Sequence, residues 1–404
     1  MHPIKKLGCR AFQFVFRAAL PMLPYRQPKL LNSMMDIPRV LLEQKIVSAL
    51  LIIDGSVRDL GLTDTLEHAL QDAGISCAVC EQRTQNPTID DVEAARQIYL
   101  ACGAKAVVAI GGGSAIDCAK AVCARIARPD KPVQHMRGIL RILHKTPLLI
   151  AVPTTAGTGS ETTLTTVITD ANAHHKYPIN DFVLIPDYAV LDASLTLGLP
   201  PYFTAITGMD ALTHAVEAYI GRSTNAFTRA MSEEAVTLIA LNLVTAYDHG
   251  HDIAARENML HAAHYAGAAF TRSYVGYVHA VAHSLGGQYG IAHGLANAVA
   301  LPHVLRAYGD SCTKKLATLS RCAGISMPDD DNQTAARAFI QWIEGLNRYF
   351  GLPEAFHEIR LGDIPTMAVH AAQESNPLYP VPKLMDEREL EAIYELLMPK
   401  EEKL

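Results

Sequence analysis

The 404-residue sequence is informative first in what it lacks. It has no run of about 18 apolar residues, which is the length that a membrane-spanning helix requires. It has no lysine- and arginine-rich run with interleaved aromatic residues, so nucleic acid is not an expected partner. Its eight cysteines are scattered along the chain, which favours reduced thiols and a cytoplasmic location over a disulfide framework.

Cys77 and Cys80 have the CxxC spacing of a redox or zinc motif. The apolar run around them is typical of a strand, however, and residues three apart in a strand point to opposite faces. We therefore expect no shared chemistry from this pair.

Acidic residues are absent from the first 35 positions. Six basic residues give that segment a charge of +6 and leave −12 for the rest of a chain whose total is −6. A secretory signal is not expected, because Arg17 interrupts the apolar run and Pro21 and Pro24 follow it. The near absence of serine is unlike a mitochondrial leader. The remaining interpretation of this segment is a basic amphipathic helix that lies on the protein or on a membrane surface, and we expect it to pack on the protein.

The hydrophobic pattern changes character near the middle of the chain. Between about Val47 and Asp192, apolar β-rich runs alternate with helical stretches, which predicts a parallel sheet covered on both faces. After Pro200 and Pro201 the periodicity is almost wholly helical. We therefore predict an N-terminal α/β domain over 1–199, with 1–35 as a basic leader, and an all-α domain over 200–404. A cleft between two such domains is a natural place for a site.

A glycine-rich turn, Gly111-Gly112-Gly113-Ser114, follows the apolar run that ends at Ile110 and precedes a helical pattern. Glycines allow close backbone approach to phosphate, and the helix offers unpaired N–H groups. The turn is not a Rossmann fingerprint, because Ile116 stands at the third glycine position, and no P-loop lysine follows. It predicts a phosphate-binding turn; a tight strand-to-helix connection is the alternative.

Two further segments favour a nucleotide. The stretch 153–160, Pro-Thr-Thr-Ala-Gly-Thr-Gly-Ser, follows another apolar strand and is rich in hydroxyl groups; a plain polar loop is the alternative. Asp54 ends the strand pattern at 49–53. A carboxylate there can bind a ribose diol and repel a 2′-phosphate, which favours NAD over NADP. Taken alone, however, Asp54 is better interpreted as a residue that forms the turn before Gly55.

Histidines and an aspartate supply candidate metal ligands. Asp210 and His214 lie four apart and therefore share a helical face, as do His279 and His283, while His293 follows a glycine-rich turn. Nitrogen and oxygen donors without cysteine suit Zn(II), Fe(II), Mn or Co at a catalytic site. The pairs His261/His264 and His174/His175 have equally ligand-like spacing, so spacing alone does not select the set.

Four motifs in register resemble the iron-containing (group III) alcohol dehydrogenase family: AIGGGSAID (109–117), PTTAGTGSE (153–161), GMDALTHAVEAY (208–219) and HAVAHSLGGQYGIAHG (279–294). The resemblance implies a Rossmann-like dinucleotide-binding domain followed by an all-α metal-binding domain, the dehydroquinate-synthase-like architecture. The implied metal ligands are Asp210, His214, His279 and His293. His283 would lie near nicotinamide and substrate. The implied cofactor contacts are Asp54, Asn86, Gly111, Gly112, Gly113, Ser114, Thr154, Thr155, Thr158, Thr163 and Lys176.

The expected activity is therefore metal-dependent, NAD(P)-linked interconversion of a small alcohol or diol and its aldehyde or ketone. We expect one Fe(II) or Zn(II) per chain, a homo-oligomer of two or more chains, and no transmembrane segment. Two alternatives stay open at this point. One is a dehydroquinate-synthase-like lyase, for which only Arg272 and Arg306 near the metal motifs could bind a phosphorylated substrate. The other is a non-catalytic metal- or nucleotide-binding protein.

Overall fold

The structure, a computed structural model, describes residues 1–84, 86–171 and 175–399. His174 lies outside the described residues. The chain forms two compact units. The α/β unit comprises Pro24–Leu199 and His251–Leu260. The helical unit comprises Met1–Leu23, Pro200–Gly250 and the chain from His261 onward.

The α/β unit contains the strands. They are β1 (Lys29–Leu31), β2 (Ser48–Asp54), β3 (Ser76–Gln82), β4 (Ala106–Gly111), β5 (Gly138–Ile139), β6 (Leu148–Pro153), β7 (Thr165–Asp170), β8 (His175–Asn180) and β9 (Tyr188–Val190). Six of them form a parallel sheet in the order β1-β9-β6-β4-β2-β3. The remaining three form a small sheet in the order β5-β8-β7, in which β7 and β8 are antiparallel.

Helices cover both faces of the parallel sheet and the helical unit consists of helices packed on one another. They are α1 (Pro3–Ala19), α2 (Ile37–Glu43), α3 (Gly55–Asp59), α4 (Asp64–Asp72), α5 (Ile89–Ala101), α6 (Gly113–Ala127), α7 (Pro201–Ile220), α8 (Ala226–Asp248), α9 (Ile253–Ser273), α10 (Tyr277–Tyr289), α11 (His293–Tyr308), α12 (Thr313–Cys322), α13 (Asn332–Tyr349), α14 (Ile364–Ser375) and α15 (Glu387–Leu396). None of these helices is long and apolar enough to cross a membrane.

The central strands of the parallel sheet are buried on both faces. Leu50 and Ile52 of β2 pack into one apolar cluster, with residues of α5 and α6. Leu51 and Ile53 pack into a second cluster on the opposite face, with residues of α2 and α4. Alternate residues of a strand point to opposite faces, so a continuous apolar run fits a sheet covered on both sides. The predicted fold class is confirmed.

The strand order reverses between β2 and β4. From β2 the chain proceeds to β3 on one side, and then returns to β4, β6 and β9 on the other. Ligands of open parallel α/β sheets bind outside the carboxyl ends of the strands at such a reversal. Asp54 ends β2 and Gly111 ends β4, so both lie at this position.

Residues 1–23 belong with the helical unit, whereas the sequence-based boundaries placed them in the 1–199 domain. Hydrogen bonds to the C-terminal chain are the reason. Arg10 donates to the carbonyls of Val381 and Pro382 at 2.7 and 2.8 Å. Gln13 Nε2 donates to the carbonyl of Tyr379 at 2.7 Å. α1 thus packs on the body of the protein, as expected for the leader. It belongs to the helical unit, however, and not to the α/β unit.

Several elements carry too weak a pattern to be predicted. The two-residue strand β5 and the hydroxyl-rich β7 have no apolar run, so the small sheet was not foreseen. α6 begins at Gly113, within the glycine turn, because Gly112 is its N-cap residue.

Candidate metal centre

Three helices of the helical unit bring four ligand-type side chains together. Asp210 and His214 lie on α7, His279 on α10 and His293 on α11. The nearest ligand atoms of these residues all lie within 4.8 Å of one another. Asp210 Oδ1 is 3.5 Å from His293 Nε2, 3.9 Å from His279 Nε2 and 4.0 Å from His214 Nδ1.

The surroundings differ between the four residues. Asp210, His214 and His279 are buried, while the side chain of His293 is 38% exposed. The cluster is therefore accessible from the side of His293. The ring of His214 stacks between Phe270, with a centroid separation of 4.2 Å, and His279, at 4.5 Å.

A close crossing of α7 and α11 brings His293 to Asp210. Gly294 lies at the crossing, and a Cβ atom at this position would lie 2.3 Å from the carbonyl oxygen of Ile206. No side chain fits there, so only glycine permits this separation of the two helices. The glycine that follows His293 thus has a structural role in assembling the cluster.

Glu217 orients His279. The Nδ1–H group of His279 donates to Glu217 Oε2 at 2.6 Å, which directs Nε2 toward the cluster. The backbone N–H groups of Gly276 and Val278 donate to the same carboxylate, each at 2.8 Å, so Glu217 also binds the N-terminal end of α10. Burial raises the pKa of Glu217 to about 7, and these hydrogen bonds act in the opposite direction.

Burial also lowers the pKa of His279 well below its ordinary value, and the neighbouring His214 and His293 act in the same direction. His279 is therefore neutral near pH 7. A neutral imidazole whose Nδ1–H is bound to a carboxylate presents a lone pair at Nε2, which is the form that binds metal ions.

The amide group of Asn297 caps the cluster. Asn297 is fully buried, and its Nδ2 lies 2.7 Å from Asp210 Oδ1, 3.1 Å from His293 Nε2 and 3.2 Å from His279 Nε2. Three acceptor atoms from three helices thus converge on one small region.

The donor set fits a divalent cation. Bonds of about 2.1 Å to one ion separate the ligand atoms by roughly 3 to 4 Å, and the separations from Asp210 Oδ1 are 3.5, 3.9 and 4.0 Å. One carboxylate and three imidazoles are ligands that iron and zinc both accept. Among the described residues, no other group of three or more histidine, cysteine or acidic side chains converges in this way, and His261 and His264 contribute to none.

His283 lies beside the cluster, one turn after His279 on α10. Its ring stacks on that of His293 with centroids 5.2 Å apart, and its side chain is 44% exposed. Nδ1 is 2.7 Å from Glu374 Oε1 on α14, and Tyr379 donates to the same oxygen at 2.6 Å. Glu374 therefore holds the ring of His283 in one orientation.

The glycine turn lies at the carboxyl end of β4. Gly111 has a φ of +154°, and a Cβ there would lie 2.7 Å from Cβ of Asp54. Gly112 is the N-cap of α6, and Ser114 is in its first turn. The hydroxyl-rich segment lies against the turn: Thr155 and Thr158 are the side chains that Cβ atoms on Gly112 and Gly113 would meet.

A buried lysine supports the hydroxyl-rich segment from behind. Lys120 of α6 donates through Nζ to Thr163 Oγ1 at 2.7 Å, to the carbonyls of Thr163 and Thr165 at 2.9 and 2.8 Å, and to Ser160 Oγ at 3.2 Å. Asp117, one turn earlier, accepts from Ser160 Oγ at 2.9 Å. Thr163 is therefore buried against Lys120.

The remaining predicted cofactor contacts are distributed around this edge of the α/β unit. Thr154 is buried, and its N–H donates to the carbonyl of Gly111 at 3.1 Å. Asp54 accepts from the N–H and hydroxyl of Ser56 at 2.9 and 2.5 Å, so it caps α3. Lys176 Nζ donates to Asn86 Oδ1 at 2.6 Å.

Sequence reasoning missed four residues that organise these sites. Glu217 lies seven residues after Asp210, Asn297 four after His293, and Lys120 three after Asp117, so each shares a helical face with a motif residue. Helical spacing could have identified those three. Glu374 lies 91 residues from His283, and no local pattern links the two.

A glycine turn at the reversal point of a parallel sheet and a cluster of three histidines and one aspartate together define a class. It is that of metal-dependent enzymes that use a dinucleotide cofactor.

Comparison with known proteins identifies the family. Residues 31–193 match the family described as iron-containing alcohol dehydrogenase, and residues 204–398 match the C-terminal region of the Fe-containing alcohol dehydrogenase family. The chain belongs to the iron-containing alcohol dehydrogenase family and is an oxidoreductase of alcohols. Family membership implies a nicotinamide dinucleotide and iron as cofactors.

Three proteins illustrate the similarity. The 1,3-propanediol dehydrogenase of Klebsiella pneumoniae is 36% identical over 350 residues, which cover 86% of this chain and 90% of that protein. The crystal structure of a 1,3-propanediol oxidoreductase has a TM-score of 0.88 at 34% identity and covers 93% of this chain and 99% of its own. A sulfoacetaldehyde reductase from Bifidobacterium kashiwanohense, solved in complex with NAD+, has a TM-score of 0.81 at 27% identity, with 93% and 98% covered.

The lyase alternative required Arg272 and Arg306 to bind a phosphorylated substrate, and the contacts of these two residues do not support it. The guanidinium of Arg272 lies over the ring of Phe227, 4.1 Å from the centroid. Arg306 forms an ion pair with Glu344. Both side chains thus have partners within the helical unit.

Proposed function

We propose that this chain is an NAD-linked dehydrogenase that interconverts a small alcohol or diol with its aldehyde or ketone. The observation that carries the proposal is the convergence of Asp210, His214, His279 and His293 within 4.8 Å, as ligands of one Fe(II) or Zn(II) ion per chain. A bound divalent ion would act as a Lewis acid that lowers the pKa of an alcohol hydroxyl.

The chain's own residues hold and shield this centre. Glu217 keeps His279 in the tautomer whose Nε2 faces the cluster, and Asn297 donates to Asp210. The substrate approaches from the side of His293 and His283, because these are the exposed imidazoles. The buried remainder of the cluster excludes water, which strengthens electrostatic interactions at the reacting oxygen.

His283 is our candidate for proton transfer between the alcohol hydroxyl and solvent. An imidazole titrates near neutrality, and this one is exposed and held in place by Glu374. Replacement of His283 by alanine is expected to lower kcat and to change its pH profile. If both are unchanged, His283 has no such role.

The dinucleotide is assigned to the carboxyl edge of the parallel sheet. In this proposal the turn Gly111–Ser114 holds the pyrophosphate at the N-terminus of α6. The other proposed contacts are Asp54, Asn86, Thr154, Thr155, Thr158, Thr163 and Lys176. Asp54 would bind the ribose diol and disfavour NADP, which remains the alternative cofactor. In an Asp54→Asn variant, the ratio of kcat/KM with NAD to kcat/KM with NADP should fall. If the ratio is unchanged, Asp54 does not contact the cofactor.

The substrate class is drawn from the relatives. The similar Klebsiella protein is named a 1,3-propanediol dehydrogenase. We propose by analogy that small diols and primary alcohols are the substrates of this chain. We also propose that it acts in the cytoplasm as a homo-oligomer of two or more chains. Light scattering with size-exclusion chromatography tests the oligomer, and cell fractionation tests the location.

The first experiment is metal analysis of anaerobically purified wild type and His279→Ala, paired with NADH formation over a panel of small alcohols and diols. His68→Ala is the matched control, because His68 is exposed on α4 and only bonds the carbonyl of Asp64. One equivalent of iron or zinc in the wild type and the control, lost in His279→Ala together with activity, supports the proposal. Metal that survives in His279→Ala means that the ligand set is wrong.

A further inference from the structure

The outward half of α1 is entirely apolar. Its large members are strongly exposed: Ile4 is 74%, Leu7 72%, Phe14 73% and Val15 67% accessible. Together with the exposed Gly8, Ala11, Phe12 and Ala18, they span an arc of about 160° at 100° per residue, without a charged side chain among them. Soluble surfaces seldom carry so continuous an apolar face, and such faces mark interaction sites.

The rotation of α1 on the protein is set by polar contacts on its inner side. Arg10 and Gln13 bond the carbonyls of Val381, Pro382 and Tyr379. Phe16 packs edge-on against Tyr274 with centroids 5.2 Å apart. Helical geometry then places Ile4, Leu7 and Val15 on the opposite side. The apolar face therefore points outward as a result of specific hydrogen bonds.

Basic residues flank the apolar face. Lys5 lies about 20° beyond one end of the arc and forms an ion pair with Glu387 at 3.4 Å. Arg17 and Lys6 lie about 60° and about 80° beyond the other end, and all three basic side chains are exposed. The first 35 residues contain no acid, whereas the rest of the chain is strongly acidic. An apolar face flanked by lysine and arginine is the arrangement of helices that lie in the interface of an anionic bilayer, with the long basic side chains extending to the headgroups.

We propose that α1 docks the enzyme on the surface of an anionic lipid bilayer. The apolar face would enter the boundary between headgroups and acyl chains, and Lys5, Lys6 and Arg17 would bind the headgroups. The family matches cover residues 31–193 and 204–398, so α1 lies outside the regions that define the family. The docking is thus an addition to the alcohol dehydrogenase activity.

A second copy of the chain is the less favourable occupant. A helix of 17 residues is about 25 Å long and about 10 Å wide, so its face covers only roughly 250 Å². A standard interface buries about 800 Å² on each partner. Pairing two such faces would also bring the basic edges of both copies together without an acid from either segment.

The test is flotation of the full-length enzyme with vesicles of phosphatidylcholine alone and of phosphatidylcholine with about one-third phosphatidylglycerol. The docking variant is Leu7→Ser/Phe14→Ser, and a second is Lys6→Glu/Arg17→Glu. The matched control, Leu60→Ser/Leu241→Ser, removes two similarly exposed leucines far from α1 in sequence, at 66% and 69% accessibility. Alcohol-dependent NADH formation in solution and the thermal midpoint report whether each variant folds.

Binding of wild type and control to the anionic vesicles, reduced at least about tenfold on neutral vesicles and in both α1 variants, supports the proposal. Binding that weakens between 50 and about 300 mM salt supports it further. Failure of the wild type to float overturns it, as does equal binding by the Leu7→Ser/Phe14→Ser variant. If that variant instead dissociates a homo-oligomer and lipid has no effect, the face is an interface between copies, and the proposal is wrong.

Discussion

Glu217 offers the sharpest test of how the metal centre is built, through the isosteric substitution Glu217→Gln. The carboxylate accepts three hydrogen bonds: Oε2 from Gly276 N–H and His279 Nδ1–H, and Oε1 from Val278 N–H. Glutamine has only one oxygen. Whichever way its amide is turned, its NH2 group opposes at least one buried N–H donor.

The size of the effect follows from these contacts. A buried donor without an acceptor costs about 1 to 3 kcal/mol, and the loss of a charge-assisted bond is of similar size. We therefore expect the free energy of unfolding of the metal-free protein to fall by roughly 2 to 4 kcal/mol. Loss of the partner of a metal-binding histidine typically weakens metal affinity about 10- to 100-fold, and we expect this for iron and zinc.

The assays are urea unfolding of the metal-free protein and chelator competition for the metal dissociation constant. Glu344→Gln is the control, because Glu344 is a partly exposed partner of Arg306 and touches no ligand. Wild-type metal affinity in Glu217→Gln would refute the orienting role, even if stability fell. Unchanged stability would refute the binding of the α10 N-terminus as well.

Two other perturbations test the assembly of each unit. Gly294→Ala places a Cβ 2.3 Å from the carbonyl oxygen of Ile206, so α7 and α11 must separate. We expect the free energy of unfolding to fall by about 2 kcal/mol or more and the affinity for metal to drop. Gly287→Ala is its control, since nothing lies within 4 Å of that Cβ, and helix propensity predicts a gain of up to about 1 kcal/mol; equal effects would refute the close-crossing argument. Burial lowers the pKa of Lys120 to about 8, although the negative charge of Asp117 acts in the opposite direction. The unfolded chain, with an ordinary lysine pKa of about 10.4, therefore binds more protons between roughly pH 8 and pH 10, and this lysine's contribution to stability should rise with pH across that window by at most about 3 kcal/mol. The free energies of unfolding of wild type and Lys120→Met are measured with urea at several pH values. As the pH rises through this window, the difference should shift in favour of wild type; a difference that is independent of pH would refute the reasoning.

Much of the architecture was predictable because it rests on local periodicity. Apolar runs such as that of β4 are buried throughout, and burial on both faces is what distinguishes a central parallel strand from an amphipathic one. The helical pattern around Asp210 and His214 likewise required only residue spacing. The strands β5 and β7 and the placement of α1 on the helical unit depended on contacts between distant segments, which leave no local pattern.

The sequence by itself determined which residue types are available at each helical face and strand end: the glycine turn after β4, Asp210 and His214 four apart, and an apolar stripe with basic flanks in α1. Spacing could not decide between the pair His261/His264 and the pair His279/His293. Only the tertiary structure decided that, because convergence on one point needs three helices separated in sequence. The close crossing at Gly294 and the hydrogen bonds of Glu217 bring His293 and His279 to Asp210. Local periodicity specifies the faces of an element, whereas packing between elements specifies which faces meet.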